Sequence, residues 1–388
     1  MNAPFPLITL QPVCDTRNAW VALSLEAARA PDAEALIRIF GEMGLAEALG
    51  HLPCVIGLNE VPAGIEALPA QKIILRLPVA YCCDRANDER LQALRAAGFG
   101  LMATGLPLPG QTPCDGVDAL ALLCPGVGAP VGMGEWLGRL PGPHLALGAE
   151  EVTCAGRCYF QWLVGHFPSH VKPASAGKGG EASHRILLLE LLAKVANDAD
   201  SHDIEATIKR DPQLSYHLLK LVNSVAFAPT TKIASFNQAI TLLGRRQLQR
   251  WLQLLLYARA QKTEHANPLL PQAALRAGLA EALCAQAGGS RDAQDRAFMT
   301  GMFSLLDVLF GMPLADIMTP LNLADDVVAA LTQRSGSLGV LLRAVETGEK
   351  PAGDDLAEAL AVAGVSREAW ARSVIHACQW AIQISSEA

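Results

Sequence analysis

Residues Lys172–Ser183 read KPASAGKGGEAS, a stretch of Gly, Ala, Ser and Lys with no aromatic residue, set between two apolar regions. Side chains this small and polar bury too little surface to offset the entropy of ordering, so the stretch reads as a flexible linker. It divides the chain into residues 1–171 and 184–388, and the texture of the sequence differs on its two sides.

Before it, short apolar runs alternate with helical stretches. Pro6–Pro12 (PLITLQP), Trp20–Leu25 (WVALSL), Cys54–Leu58 (CVIGL), Lys72–Leu77 (KIILRL) and Gly98–Ala103 (GFGLMA) have the length and composition of buried strands. Asp32–Leu49 and Asp88–Ala97 carry apolar residues at helical spacing, with Asp32 placed to cap the first and Gly98 to end the second. This alternation predicts an α/β domain with parallel strand pairing and crossover helices. The segment is shorter than the roughly 250 residues of an ordinary eight-unit barrel, so a shortened, barrel-like domain is expected.

After it, the pattern is helical throughout, which predicts an all-α bundle. Helices are expected at His184–Asn197 behind a Ser183 cap and at Ile204–Lys209 behind Asp203. A third starts at Asp211-Pro212, an N-cap followed by proline at the first helical position, where its missing N–H costs nothing. Further helices are expected at Phe236–Arg259, Leu269–Gln286, Asp292–Phe310, Ala324–Arg334, Leu338–Thr347, Asp354–Val362 and Glu368–Ile384.

Composition narrows the function. Of 388 residues, 51% are hydrophobic and 18% charged, which excludes global disorder. The net charge of −7 divides into −4 before Gly180 and −3 from there on, so neither half is a basic body suited to neutralising phosphates over a wide surface. One local exception, Arg245, Arg246 and Arg250, is the candidate partner surface. A solvated helix face is its plain reading, with an acidic partner or nucleic acid as the alternatives. No uncharged run reaches the roughly 20 residues of a membrane span. The N-terminal MNAPFPLITLQP lacks the basic and apolar regions of a secretory signal, and ten cysteines at irregular positions suit a reduced compartment, so a cytoplasmic protein is expected.

Few residues suggest chemistry by themselves. His202-Asp203 is a literal metal-holding dyad, but no accompanying carboxylate pattern follows, and a capping turn explains it. Cys154 and Cys158 lie one helical turn apart without a second pair at zinc spacing, which suits buried thiols. Phosphate-loop, nucleophile-elbow and HExxH motifs are absent from the sequence.

Family resemblances add to this. Asp211-Pro212-x-Leu214, the run Leu218–Ser224 with Asn223 and Ser224, and Ile233–Gly244 closing on Gly244 are followed by Ala297–Asp307, AFMTGMFSLLD. Together they resemble the HDOD domain, a relative of HD phosphohydrolases that lacks the catalytic ligands. Gly301, Ser304 and Asp307 belong to the same motif, and Ser304-Leu305 stands where a catalytic relative would carry His-Asp. The N-terminal half resembles a shortened, degenerate EAL domain, the cyclic-di-GMP phosphodiesterase module. Gln11-Pro12 matches its opening strand, Glu26 in SLEAAR the Glu of its name motif, Asn59 in IGLNEV a ligand Asn, and Glu150 its later AEGVE-like stretch. The domain order resembles EAL–HDOD signalling proteins of the YuxH type.

An active EAL site holds two divalent cations with Glu, Asn and Asp oxygens, helped by a Lys. Against that pattern, Leu75-Arg76-Leu77-Pro78 puts Arg or Leu where a carboxylate belongs, Met102-Ala103-Thr104-Gly105 replaces the paired Asp, and no lysine occurs between Lys72 and Lys172. Glu26 and Asn59 then read as remnants, and no catalytic residue, metal or cofactor is expected. The expectation is a non-catalytic signalling protein with protein partners and no membrane span. Nucleotide binding without hydrolysis stays open. The alternatives are a residual cyclic-di-GMP phosphodiesterase and a nucleic-acid-associated regulator acting through the arginine cluster.

Overall fold

A computed structural model describes residues 5–108, 110–123, 133–148, 160–165, 180–196, 199–208, 210, 244, 246–250, 252–255, 257, 269–318, 321 and 323–387. The N-terminal part is a closed eight-stranded barrel in sequential order: β1 (Ile8–Asp15), β2 (Trp20–Ala27), β3 (Cys54–Gly57), β4 (Ile73–Pro78), β5 (Gly100–Thr104), β6 (Ala119–Leu123), β7 (Leu145–Leu147) and β8 (Trp162–Val164). The expected α/β class holds, with two corrections. The barrel is complete in strands despite its length. Its economy lies in strands of three residues at β7 and β8 and in short helices. Pairing is parallel from β2 to β8, but β1 runs antiparallel to both of its neighbours.

The antiparallel start follows from the turn. Asp15 Oδ1 accepts from the N–H groups of Arg17 and Ala19 at 2.8 and 2.9 Å, and Asn18 takes a left-handed φ of 64°, closing a tight reversal. A reversal this short leaves no chain for a crossover helix between β1 and β2. The other connections include α1 (Ala33–Ile37), α2 (Leu45–Ala48), α3 (Val79–Cys83), α4 (Asp88–Ala97) and α5 (Met133–Arg139). Asp32 caps α1 by accepting from Ala35 N at 2.8 Å, and Gly98 ends α4 at φ 103°, as expected. The single helix expected over Asp32–Leu49 is broken by a π-helical turn at Arg38–Glu42 and by Gly44 at φ 79°.

Alternation along the strands separates two cores. Val13, Ala22, Val55, Met102, Ala119, Ala121, Leu145 and Val164 form the small cluster inside the barrel. Their sequence neighbours, such as Leu23, Leu25, Cys54, Ile56, Leu75 and Leu101, join the large cluster outside it.

The second part is helical: α6 (Gly180–Ala196), α7 (Ser201–Ile208), helical residues at 246–250 and 252–255, α8 (Leu269–Gln286), α9 (Arg291–Phe303), α10 (Leu306–Phe310), α11 (Leu314–Met318), α12 (Asp325–Gln333), α13 (Gly336–Thr347), α14 (Asp354–Val362) and α15 (Arg367–Glu387). Helix α6 begins at Gly180, inside the stretch read as linker, so Ser183 is helical and does not cap it. Asp203 likewise falls in the first turn of α7, where the carbonyl of Asp200 accepts from Ile204 N at 3.1 Å. The helix expected over Asp292–Phe310 divides at Ser304-Leu305. The Asp211-Pro212 helix, the Cys154/Cys158 pair and residues 172–179 lie outside the described residues.

The two parts share the large core. The fully buried Trp370 of α15 donates from Nε1 to the carbonyl of Ile8 at 2.7 Å, and Gln11 Nε2 donates to the carbonyl of Glu349, after α13, at 2.7 Å. Arg38 pairs with Glu368 at 3.3 Å beside these contacts. The hairpin that has no crossover helix of its own is thus covered by the helical part. Among the described residues no helix is long and apolar enough to cross a membrane.

Candidate functional site

The C-terminal ends of the parallel strands form the barrel mouth, where β/α barrels place their chemistry. In β2, Leu23 and Leu25 turn outward into the large core, which sends Ser24 and Glu26 inward. In β4 the same alternation buries Leu75 and Leu77 outside and sends Arg76 inward. Of the two residues that the sequence analysis set against the expected carboxylate, Arg76 is the one that faces inward. Its Nη2 donates to both oxygens of Glu26, at 2.7 and 2.8 Å, while Ser24 Oγ donates to Glu26 Oε1 at 2.8 Å.

Gly57, opposite Arg76 in the strand register, makes the pairing sterically possible. A Cβ at that position would stand 2.5 Å from Arg76 Nη2, so any side chain would push the guanidinium off Glu26. The two side chains keep only 12% and 21% of their exposure, enough burial for the ion pair to feel a reduced dielectric. Arg76 Nε is buried without a hydrogen-bond partner.

This donor set does not fit a pair of divalent cations. Both oxygens of its one placed carboxylate accept from a fixed positive charge. Met102, 1% exposed, fills the inside of the barrel. Asn59 lies exposed in a bend two residues beyond β3, and Glu150 lies outside the described residues. Among the described residues no three His, Cys, Asp or Glu side chains are grouped to hold a metal ion.

In the helical part, Ser304 closes α9 and is buried. Its hydroxyl donates to the Gly301 carbonyl at 2.7 Å and accepts from Arg276 Nη1 at 2.9 Å. Arg276, buried on α8, also donates to Glu349 through Nε at 2.5 Å and Nη2 at 2.8 Å. Glu346 stands 3.5 Å from Arg276 Nη1 and takes Arg334 at 2.8 and 3.0 Å. Burial works against the charge on Arg276, but Glu349 and Glu346 outweigh it and hold the guanidinium above its ordinary range. Ser304 thus rests on an arginine whose charge is balanced within the bundle.

A Cβ on Gly301 would stand 2.5 Å from the Arg276 carbonyl oxygen and 2.7 Å from Ala277 backbone atoms, so α8 and α9 touch backbone to backbone there. Gly244 takes φ 70° ahead of a helical turn. Asp307 sits in the first turn of α10 with a buried, unpartnered Oδ1. Asp211, Pro212, Asn223 and Ser224 lie outside the described residues, as does Arg245.

Arg246 and Arg250 correct the reading of a basic partner surface. Both pair with Glu281 of α8 and Asp295 of α9, and the Arg250 guanidinium lies 4.2 Å above the Phe298 ring. They clamp three helices together, and their charge is met from inside. Arg276, Glu346 and Glu349 form the buried charge cluster beside Ser304 and escaped sequence reasoning. The one signal was an arginine amid the apolar run LLPQAALRAGLAEALC.

Comparison with known proteins gives this arrangement a context. Residues 187–315 match the HDOD domain family. The chain is 30% identical over 239 residues to the Vibrio cholerae protein named cyclic di-GMP phosphodiesterase CdgJ, covering 61% of this chain and 54% of that one. It is 30% identical over 185 residues to Bacillus subtilis YuxH, covering 47% of this chain and 44% of the relative, so it spans about half the length of the curated relatives it matches. Among solved structures, the PaMucR phosphodiesterase in complex with c-di-GMP matches at 17% identity and TM-score 0.31, over 42% of this chain and 94% of that one. Bacillus subtilis YkuI, with an EAL domain in complex with c-di-GMP and calcium, matches at 11% identity and TM-score 0.33, over 62% of this chain and 73% of that one.

Proposed function

In a chain that joins an EAL-like barrel to an HDOD domain, we propose a non-catalytic signalling role in cyclic-di-GMP-related regulation, carried out through binding to protein partners. The observation that supports it is the Glu26–Arg76 pair. The family mechanism needs Glu26 as a cation ligand, and here both of its oxygens accept from a guanidinium. The buried Arg276–Ser304 contact supports the same reading for the helical part, since neither group offers a free metal ligand there. The reading is tested with purified full-length protein, cyclic-di-GMP and Mg²⁺ or Mn²⁺. The expected result is no hydrolysis above buffer background, and turnover that disappears in Glu26→Ala would overturn it.

The 30% identity to the Vibrio protein named as a phosphodiesterase favours a second reading, residual hydrolysis by a drifted site. The same assay separates the two, because that reading needs metal-dependent turnover and an intact Glu26.

A further inference from the structure

The barrel mouth and the buried charges of the helical part are both tied to one strand pair. On β2, Ser24 and Glu26 hold Arg76. Across the register on β1, Gln11 faces Ser24, Thr9 faces Glu26 and Ile8 faces Ala27. Gln11 and Ile8 are also the residues tied to the helical part, through the Glu349 carbonyl and the Trp370 indole. Glu349 in turn holds Arg276, which reaches Ser304. An unbroken set of contacts therefore runs from Arg76 through two paired strands to Ser304.

Two features make this strand pair a joint. It has no crossover helix between its strands, so its outer face rests on α15, whose Trp370 is fully buried against it. Beside the ties lies a cavity of about 50 Å³, with Leu10, Gln11, Leu279, Val345, Glu349 and Val374 among its walls. Gln272 also faces it, and the Oε1 of that residue is buried without a partner. A gap of this kind forfeits contacts on one side and leaves room for the strands to shift against the helices.

We infer that the β1–β2 hairpin is a conformational joint through which opening of the Glu26–Arg76 pair alters the packing around Trp370 and Glu349. The inference goes beyond the proposed function and stands whether or not the barrel turns over a substrate. Coupling of this kind is reciprocal, so disturbance at Arg276 is felt at the mouth.

The test is amide hydrogen exchange on the full-length chain. Arg76→Gln is expected to speed exchange at least tenfold in residues 344–350 and around Trp370, besides the barrel mouth. Arg276→Met is expected to speed it in β1 and β2. Leu94→Ala on α4, a buried site away from the hairpin, serves as a variant of general stability loss. The inference is overturned if the effect of Arg76→Gln stops within the barrel, if Arg276→Met leaves β1 and β2 unchanged, or if Leu94→Ala speeds the Trp370 helix equally. Should Arg76→Gln fail to fold, Arg76→Lys, which keeps the charge and shortens its reach, is read by the same three criteria.

Discussion

Arg76 lies across Gly57 with Nη2 2.7 and 2.8 Å from the two carboxylate oxygens of Glu26. The pair closes the barrel mouth electrostatically: each charge satisfies the other, with Ser24 completing the carboxylate. Removing one partner leaves a half-buried charge alone. Arg76→Ala is therefore expected to destabilise the protein by about 1–3 kcal/mol, below the full cost of an uncompensated buried ion because the site keeps some solvent. Urea unfolding of the single and double variants checks this. The double variant Glu26→Gln with Arg76→Ala should recover part of the loss, and a simple sum of the single losses would show that the pair is not coupled.

Gly301 stands at a backbone contact between two helices, so its substitution tests packing alone. An added Cβ would meet the Arg276 carbonyl and Ala277 backbone, neither of which can rotate away. Gly301→Ala is expected to cost about 1–3 kcal/mol by forcing α8 and α9 apart, even though alanine is the better helix former. Thermal unfolding followed by circular dichroism would show the drop, and an unchanged or raised midpoint would mean the helices separate without strain.

The clamp by Arg246 and Arg250 reverses what charge counting suggests about the helical part. Arg250→Met removes a cation shared by Glu281 and Asp295 and the contact above Phe298. It should destabilise the bundle by about 1–3 kcal/mol. Loss of any bound partner should then track the fraction unfolded. A variant that keeps full stability yet loses a partner would restore the exposed-surface reading.

Legibility in the sequence followed how local each determinant is. Asp32 and Gly98 act within a few residues of themselves, and both capping expectations hold. The alternation in WVALSLEA shows that Glu26 shares a face with Ser24, but nothing local reveals that β4 brings Arg76 to it. Strands β7 and β8 have three residues each, too few for a period to show, so the barrel-like domain was expected but its full complement of eight strands was not. Arginine clusters read as solvent-facing because the partners of Arg250 and Arg276 lie 28 to 73 positions away. Charge spacing along one helix says nothing of acids on the next.

His144 offers a test by pH. It is buried beside β7, with Nδ1 accepting from Leu120 N at 3.1 Å and Nε2 3.3 Å from the Leu137 carbonyl. An acceptor at Nδ1 requires the neutral ring, with its proton on Nε2. Burial lowers the imidazole pKa below its ordinary value, and the contact with the Leu137 carbonyl opposes this only in part. The unfolded chain, titrating near 6.5, therefore binds this proton more readily than the folded one. The stabilisation is fully present above about pH 6.5 and is lost as pH falls from there toward the lowered folded value. Urea unfolding of wild type and His144→Gln between pH 5 and 8 isolates the contribution, because every other titrating group is common to both. The stability difference in favour of wild type should be largest above about pH 6.5 and shrink below it. A difference that stays constant across the range, or grows on acidification, would show that the ring is charged in the folded barrel and that the Leu120 contact is made some other way.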